Sequence, residues 1–299
     1  MSKALSFTAI FQGNSLNYGE SIGNISELKK FHRANGEVYT FASRQSLRYD
    51  VVRLGNELFQ WNLYVVDDKA RRGVVQFKKN ATIEDSGEMD LFGYLKTSKE
   101  SQKRPAVARL SHAFSLEPYR SDMEFLNSMG LAERINEKPD LANIEQHQSL
   151  YTYTLTIDLN KVGIDGKIEL DNETRATRIR QLLDIMKVLY RDIRGRREDL
   201  SPLFVIGGVY DVANPFFFGK VQLDPNEKGF AIHLNPIQET MEKTFAGRSV
   251  GEQTQIGILS GLFDNEEALR ETFGDQVGSI ESFFSGLQDQ VSDYYGVSS

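Results

Sequence analysis

Apolar and polar positions alternate loosely over Leu5–Phe11 and cleanly over Ser149–Val162, where Leu150, Thr152, Thr154 and Thr156 oppose Tyr151, Tyr153, Leu155 and Ile157. A period of two puts successive side chains on opposite faces of a strand. Ala106–Leu116 alternates in the same way. Leu203–Val212 reads as a buried strand interrupted by Gly207-Gly208, where another backbone or a ligand approaches closely. Between these stretches the spacing changes to three and four. Leu47, Val51, Leu54 and Leu58 form one buried helical face behind Ser43, a good N-cap. Ile179, Leu182, Leu183, Met186, Leu189, Tyr190 and Ile193 do the same within Asn172–Arg194. Strand–helix–strand therefore occurs twice: Leu5–Phe11, Ser43–Leu58 and a following strand, then Ser149–Val162, Asn172–Arg194 and Leu203–Val212. This duplication predicts an α+β fold, a ferredoxin-like, RNA-recognition-type (RRM-like) sheet with large insertions.

The intervening stretches are less regular. Residues 13–38 are polar and read as a long loop broken by a short helix near Ser26–Arg33, followed by a strand-like Tyr39–Ala42. Trp61–Val66 suits a strand or a continuation of the helix. Residues 67–109 are charged, with a hairpin expected around Gly73, and a second hairpin is expected from Phe216–Val221 and Phe230–Leu234. Residues 117–148 are polar with Pro118, Gly130 and Pro139, yet carry Met123, Phe125, Leu126, Met129 and Leu131 at their middle. They form either a local mini-core or an arm that docks elsewhere. The stretch beyond Ser260 reads as helical, acidic and peripheral, so the chain divides into 1–263 and 264–299.

Charge sharpens that division. The net charge of −7 resides in 264–299, where eight acidic residues meet one base, Arg270, so the rest of the chain balances. Bases still cluster in the body, at Lys29, Lys30, His32 and Arg33, at Arg44, Arg48 and Arg53, and at Arg191, Arg194, Arg196 and Arg197. A neutral body with basic stripes can bind a polyanion locally, or the clusters are solvated surface. Zero cysteines exclude disulfides and cysteine-ligated zinc. With no signal-peptide pattern and no run near the roughly 18 apolar residues of a membrane span, a soluble cytoplasmic protein without membrane contact is expected. His32, His112, His147 and His233 lack ligand spacing, and no metal, phosphate-loop or triad motif occurs, so neither a cofactor nor catalysis is expected. The one suggestive chemistry is the helix start. Arg44, Gln45 and Arg48 fall off its apolar face, beside a helix N-terminus that favours anions. A solvated helix flank is the competing reading.

Three blocks, in order, then match a known family. They are Ala42-Ser43-Arg44-Gln45-Ser46-Leu47-Arg48; Asp90-Leu91-Phe92-Gly93 followed by Val107 to Ser115 with His112 at its centre; and Leu150 to Thr154 ahead of Ile157-Asp158-Leu159. The chain resembles the backbone subunit of type I CRISPR interference complexes (Cascade), specifically the DevR branch found with type I-B systems. Arg44 stands where that family has a second serine.

The resemblance implies a hand-shaped subunit that oligomerises along a CRISPR guide RNA, pairs with target DNA through the guide, and contacts other Cascade subunits. It makes 67–105 the fingers and 117–148 the thumb, with Met123, Phe125, Leu126 or Met129 displacing a base. The RNA-binding set it implies is Asn14, Asn17, Ser43, Arg44, Gln45, Arg48, His112, Arg194 and Arg196. Type III relatives cut RNA with an aspartate after the first strand, whereas 13–38 holds only Glu20, Glu27 and Glu37. No nuclease is therefore expected. A guide-directed endoribonuclease and a monomeric single-stranded RNA-binding module are the alternatives.

Overall fold

The first strand, Ala4–Asn14, is paired on both edges of a computed structural model that describes residues 3–67, 75–97, 101–227 and 229–298. Along its whole length it runs antiparallel to Gln148–Asp158, from Ala4 opposite Asp158 to Asn14 opposite Gln148. On its other edge it pairs, again antiparallel, with Phe204–Tyr210. The sheet then extends from Phe204–Tyr210 to Gln255–Ile258 and Val277–Ser279, and from Gln148–Asp158 to Ala113–Ser115, Val38–Ala42 and Lys30–His32. Ala108–Leu110 also pairs with Gln148–Asp158. The helices Arg44–Phe59 and Asn172–Lys187 complete both strand–helix–strand passages, so the predicted mixed α+β class is present.

Alternation sorts the two faces of this sheet. Leu5, Phe7, Phe11, Tyr151, Tyr153, Leu155 and Ile157 share one core with Leu47, Val51 and Leu54 of the first helix and Ile179, Leu182 and Leu183 of the second. The opposite face is hydroxylic at its centre, where Ser6 meets Thr156 at 2.8 Å and Thr8 meets Thr154 at 2.7 Å. Towards Phe204–Tyr210 that face turns apolar and is covered by Phe217, Val221, Ile232 and Ile237. The close approach expected at Gly207-Gly208 comes from backbone. A Cβ on Gly207 would lie 2.2 Å from the Ser6 carbonyl oxygen, and one on Gly208 1.8 Å from that of Gln253.

Several local expectations are corrected by pairing over long sequence distances. Residues 13–38 contain the strands Tyr18–Ile22, Ile25–Leu28 and Lys30–His32 and no helix. Ile25 and Ser26 pair with Asn143 and Ile144, which satisfies backbone groups that a local helix would otherwise use. The second helix ends at Lys187 rather than Arg194. Tyr190–Ile193 and Arg196–Asp199 form a hairpin across Arg194 (φ 49°) and Gly195 (φ 78°), the two left-handed positions of a type I′ turn. Leu189 stays buried in the same core, which is why helical spacing continued past the true end.

Ala106–Leu116 is two short strands split at Ser111-His112, where Ser111 exchanges hydrogen bonds with the Thr154 backbone at 2.9 Å. Trp61–Val66 is irregular. Trp61 is buried beside Gly55, and its Nε1 donates to Gln181 Oε1 at 2.8 Å. The turn at Gly73 lies outside the described residues. The second expected hairpin is shifted and shortened: Phe216–Lys220 is a turn, the pairing is a single bridge from Leu223 to Ile232, and Leu234 opens a helix.

The segment 264–299 is helical in large part but not peripheral. Val277–Ser279 adds a parallel strand to Gln255–Ile258. Ile280–Tyr295 lays Phe283, Phe284, Leu287, Val291 and Tyr295 into the main core against Asn172–Lys187. Its acids Glu281, Asp289 and Asp293 face solvent, so a charge count without helical period hid an apolar face. Among the described residues no helix is long and apolar enough to cross a membrane.

Phe284 is fully buried between Phe7 and Phe283. Phe284→Ala is therefore expected to lower the unfolding free energy by about 3–5 kcal/mol in chemical denaturation. Deleting 264–299 is expected to yield an unfolded chain by circular dichroism.

Candidate nucleic-acid interface

The first helix begins where three distant segments meet. Ser43 Oγ caps it by accepting from Ser46 N at 3.2 Å. The Ser43 N–H donates to Asn17 Oδ1 at 3.0 Å, and the Arg44 N–H donates to His112 Nδ1 at 3.0 Å. Leu47 N opens the helical ladder on the Ser43 carbonyl, which leaves the Gln45 N–H for a ligand. Thus Asn17, Ser43, Arg44, Gln45 and His112 form one constellation. Burial, with the positive charges of Arg44 and Lys29, holds His112 below its ordinary pKa. It is a neutral imidazole with Nδ1 free of a proton, as the Arg44 bond requires.

Beside this start lies a cavity of about 300 Å³ lined by Arg44, Gln45, Arg48, Phe92, Arg109 and Leu110. Its three arginines are not equivalent. Arg48 is bound to Glu88 at 2.6 Å and lies over the Phe92 ring at 5.3 Å. Arg109 pairs with Asp158 at 2.7 Å. Arg44 is exposed and has no ion pair among the described residues.

Phe92 is held by a buried charge. Asp90, within the short helix Gly87–Phe92, binds Arg104 at 2.6 Å, Arg178 at 2.7 Å and Gly163 N at 2.9 Å. Gly93 (φ 72°) turns the chain where a Cβ would meet the Arg104 carbonyl at 2.4 Å. The Asp90-Leu91-Phe92-Gly93 block thus aims Phe92 at Arg48 from a rigid base.

Asn14, Arg194 and Arg196 belong to a second place. Asn14 Oδ1 accepts from Ser15 Oγ at 2.8 Å, and Ser15 (φ 59°) also reaches Gln146 at 2.6 Å. Arg194 stacks over Tyr18 at 4.3 Å, and Arg196 lies 3.8 Å from Glu198. Arg191 bonds the Leu16 carbonyl and approaches Asp50 at 3.7 Å, fastening this hairpin to the first helix. Asp50 itself is pushed up to about 6 by burial, which outweighs Arg191 and Arg53.

The stretch 117–148 projects as the hairpin Asp122–Asn127 and Leu141–Gln146, in a small sheet with Tyr18–Ile22 and Ile25–Leu28. Buried Glu145 pins its base by accepting from Leu28 N at 2.7 Å and pairing with Lys30 at 2.7 Å. Along its length, from Met123 opposite Glu145 to Met129 past the end of Asp122–Asn127, Met123, Phe125, Leu126 and Met129 are exposed, Phe125 by 58%. The mini-core reading is corrected, because these side chains have no interior to enter.

Sequence reasoning missed Arg109 as a lining residue of the cavity at the helix start. Arg109 had a usable signal, since it stands between the inward positions Ala108 and Leu110 of an alternating strand.

A family model described as CRISPR-associated negative auto-regulator DevR/Csa2 matches residues 5–225. One similar solved structure is titled "CRISPR RNA-guided surveillance complex". Its TM-score is 0.59 at 13% identity, over 97% of this chain and 99% of that chain. Another is titled "CRISPR RNA-guided surveillance complex, pre-nicking", with TM-score 0.57 and 11% identity, over 95% and 100% of the two chains. At these identities the likeness is one of fold. No curated protein matches the chain.

Two predictions follow from the helix start. Arg44→Ala is expected to weaken single-stranded RNA binding and lower the salt slope by about 0.7, one released counterion. Arg48→Ala, already neutralised by Glu88, is expected to change the slope less; titration of affinity against salt checks both. Because the folded pKa of His112 is depressed, its contribution to stability is complete above about pH 6.5 and is lost as pH falls through the folded value. By NMR the His112 midpoint is expected below 6.5, with the Arg44 amide shifting on the same curve.

Proposed function

From the premise that this chain belongs to the CRISPR-associated DevR/Csa2 family, we propose that it is a guide RNA-binding backbone subunit of a type I-B Cascade-like complex. The observation that carries this reading is the open helix start. Unpaired Arg44, the Gln45 N–H, and the side chains of Asn17 and His112 converge beside an arginine-lined cavity. Phosphates of a single strand are the anions this arrangement suits, through backbone N–H groups and guanidinium together. Arg194 and Arg196, with Asn14, would continue the backbone contacts.

Copies polymerise head to tail along the guide. The fingers lie in 67–105 and the thumb is the 117–148 hairpin. Among its exposed apolar residues Met123, Phe125, Leu126 and Met129, one displaces a base at a regular interval, as apolar wedges do between base steps. Target DNA is selected by pairing with the guide, while the protein holds backbone and shape. The balanced charge of residues 1–263 supports self-association, since like-charged neighbours repel. The other Cascade subunits complete the assembly.

We further propose that the chain is not a nuclease. Glu20 stands on Tyr18–Ile22, Glu27 on Ile25–Leu28 and Glu37 beyond Lys30–His32, and among the described residues no three carboxylates or histidines gather as a metal site would need. Incubating assembled complex with guide-complementary RNA and magnesium is expected to leave the RNA intact. Regularly spaced cuts would favour the endoribonuclease alternative instead.

Native mass spectrometry of the protein expressed with a CRISPR array and partner genes tests the main reading. Several copies on one guide-length RNA are expected; a monomer that ignores the guide would overturn the reading and leave only the α+β fold. Replacing Met123, Phe125, Leu126 and Met129 by serine is expected to keep the guide bound and abolish the periodic reactivity of displaced bases in chemical probing.

A further inference from the structure

The cavity at the helix start is one end of a longer groove. Arg109 lines it and also lines a second pocket with Ser111, Thr154, Thr156, Pro215 and Phe218. Phe218 and Thr154 then line a third, of about 170 Å³, with Phe31, Phe114, Leu116 and Thr152. The groove therefore crosses the hydroxylic face of the sheet, from a basic end to an aromatic end.

The aromatic end is built from fixed rings. Phe31 meets Phe114 edge to face at 5.1 Å, and Phe41 bridges Phe114 and His112 at 6.2 and 5.4 Å. Phe218 is presented rather than buried. It follows Phe216, which packs on Tyr210 at 5.0 Å, and Phe217, which is buried in the core. With both anchored and the turn closed by Phe218 N donating to the Pro215 carbonyl at 2.9 Å, the third ring is left 47% exposed over the groove. Thr152 in the same pocket has a hydroxyl withdrawn from solvent with no hydrogen-bond partner among the described residues. Arg33 also lines this pocket and lies over Tyr39 at 4.2 Å.

We propose that Phe218, Phe114 and Phe31 form a slot that stacks an unpaired base of single-stranded RNA, a proposal that rests on the RNA-binding reading above. Arginines at one end, and Arg33 beside the rings at the other, match the alternation of phosphate and base along a single strand, the pattern of sequence-tolerant strand binding. The free Thr152 hydroxyl can bond a polar base edge. An aliphatic side chain from another copy would leave it unpaired and would gain nothing from the basic end.

The full-length protein is titrated with a labelled oligo(U) strand, comparing wild type, Phe218→Ala, Phe218→Tyr and Arg44→Ala across salt concentrations. Phe218 is exposed, so these variants are expected to fold. Phe218→Ala should lose about tenfold in affinity, the size of one base–aromatic stack, with an unchanged salt slope. Phe218→Tyr should restore it, and an abasic site placed along the strand should reduce the difference between wild type and Phe218→Ala. Unchanged affinity in Phe218→Ala alongside weakened binding in Arg44→Ala would overturn the slot and leave the phosphate site standing. No binding by wild type would remove the reading on which the slot rests. If Phe218→Ala altered the copy number without RNA and left oligo(U) affinity unchanged, the slot would be a contact between copies and the proposal would fail.

Discussion

Two-sided pairing of the first strand is the constraint on which the rest depends. Because Ala4–Asn14 is bonded along both edges, its register is fixed against Gln148–Asp158 and Phe204–Tyr210 together. A slip of one residue would send Leu5, Phe7 and Phe11 to the hydroxylic face and Ser6 and Thr8 into the core. The same register puts Gly207 against the Ser6 carbonyl, where no side chain fits. One face is thereby committed to three packed helices, and the other keeps hydroxyls at its centre, with a groove beside them.

Buried charge does the second task, which is attaching the segment that carries Phe92. Asp90 is fully buried with two arginines and a backbone N–H around it. Breaking one partner of such a cluster strands a charge in the interior, which is far more damaging than replacing the set. The cluster ties residues from three parts of the chain, and Phe92, two residues on, becomes a fixed surface for Arg48.

The candidate interface shows how a nearly neutral body can present a local anion site. Most of its arginines are already engaged: Arg48 with Glu88, Arg53 with Glu57, Arg191 beside Asp50, Arg197 with Asp192. Arg44 remains open because the residue beside it is His112, a neutral acceptor whose protonation Arg44 and Lys29 oppose. Unengaged charge, more than total charge, separates a phosphate site from a solubilised surface.

The alternation at 149–162, the apolar spacing behind Ser43 and the cap at Ser43 each rest on neighbours within a few residues, so the sequence alone determined the central strands, both helices and the α+β class. The ordered blocks at 42–48, 90–115 and 150–159 likewise determined the family. Tertiary structure decided what depends on distant partners. Strands within 13–38 exist because 122–146 pairs with part of them and Val38–Ala42 with the rest. The last helix is core because its apolar stripe meets Asn172–Lys187, although its charge suggested solvent. Asn17 and His112 reach the helix start only through folding, and Phe218 is exposed only because Phe216 and Phe217 are anchored. Local periodicity is written in consecutive residues, whereas these placements require that chain segments far apart be brought together first.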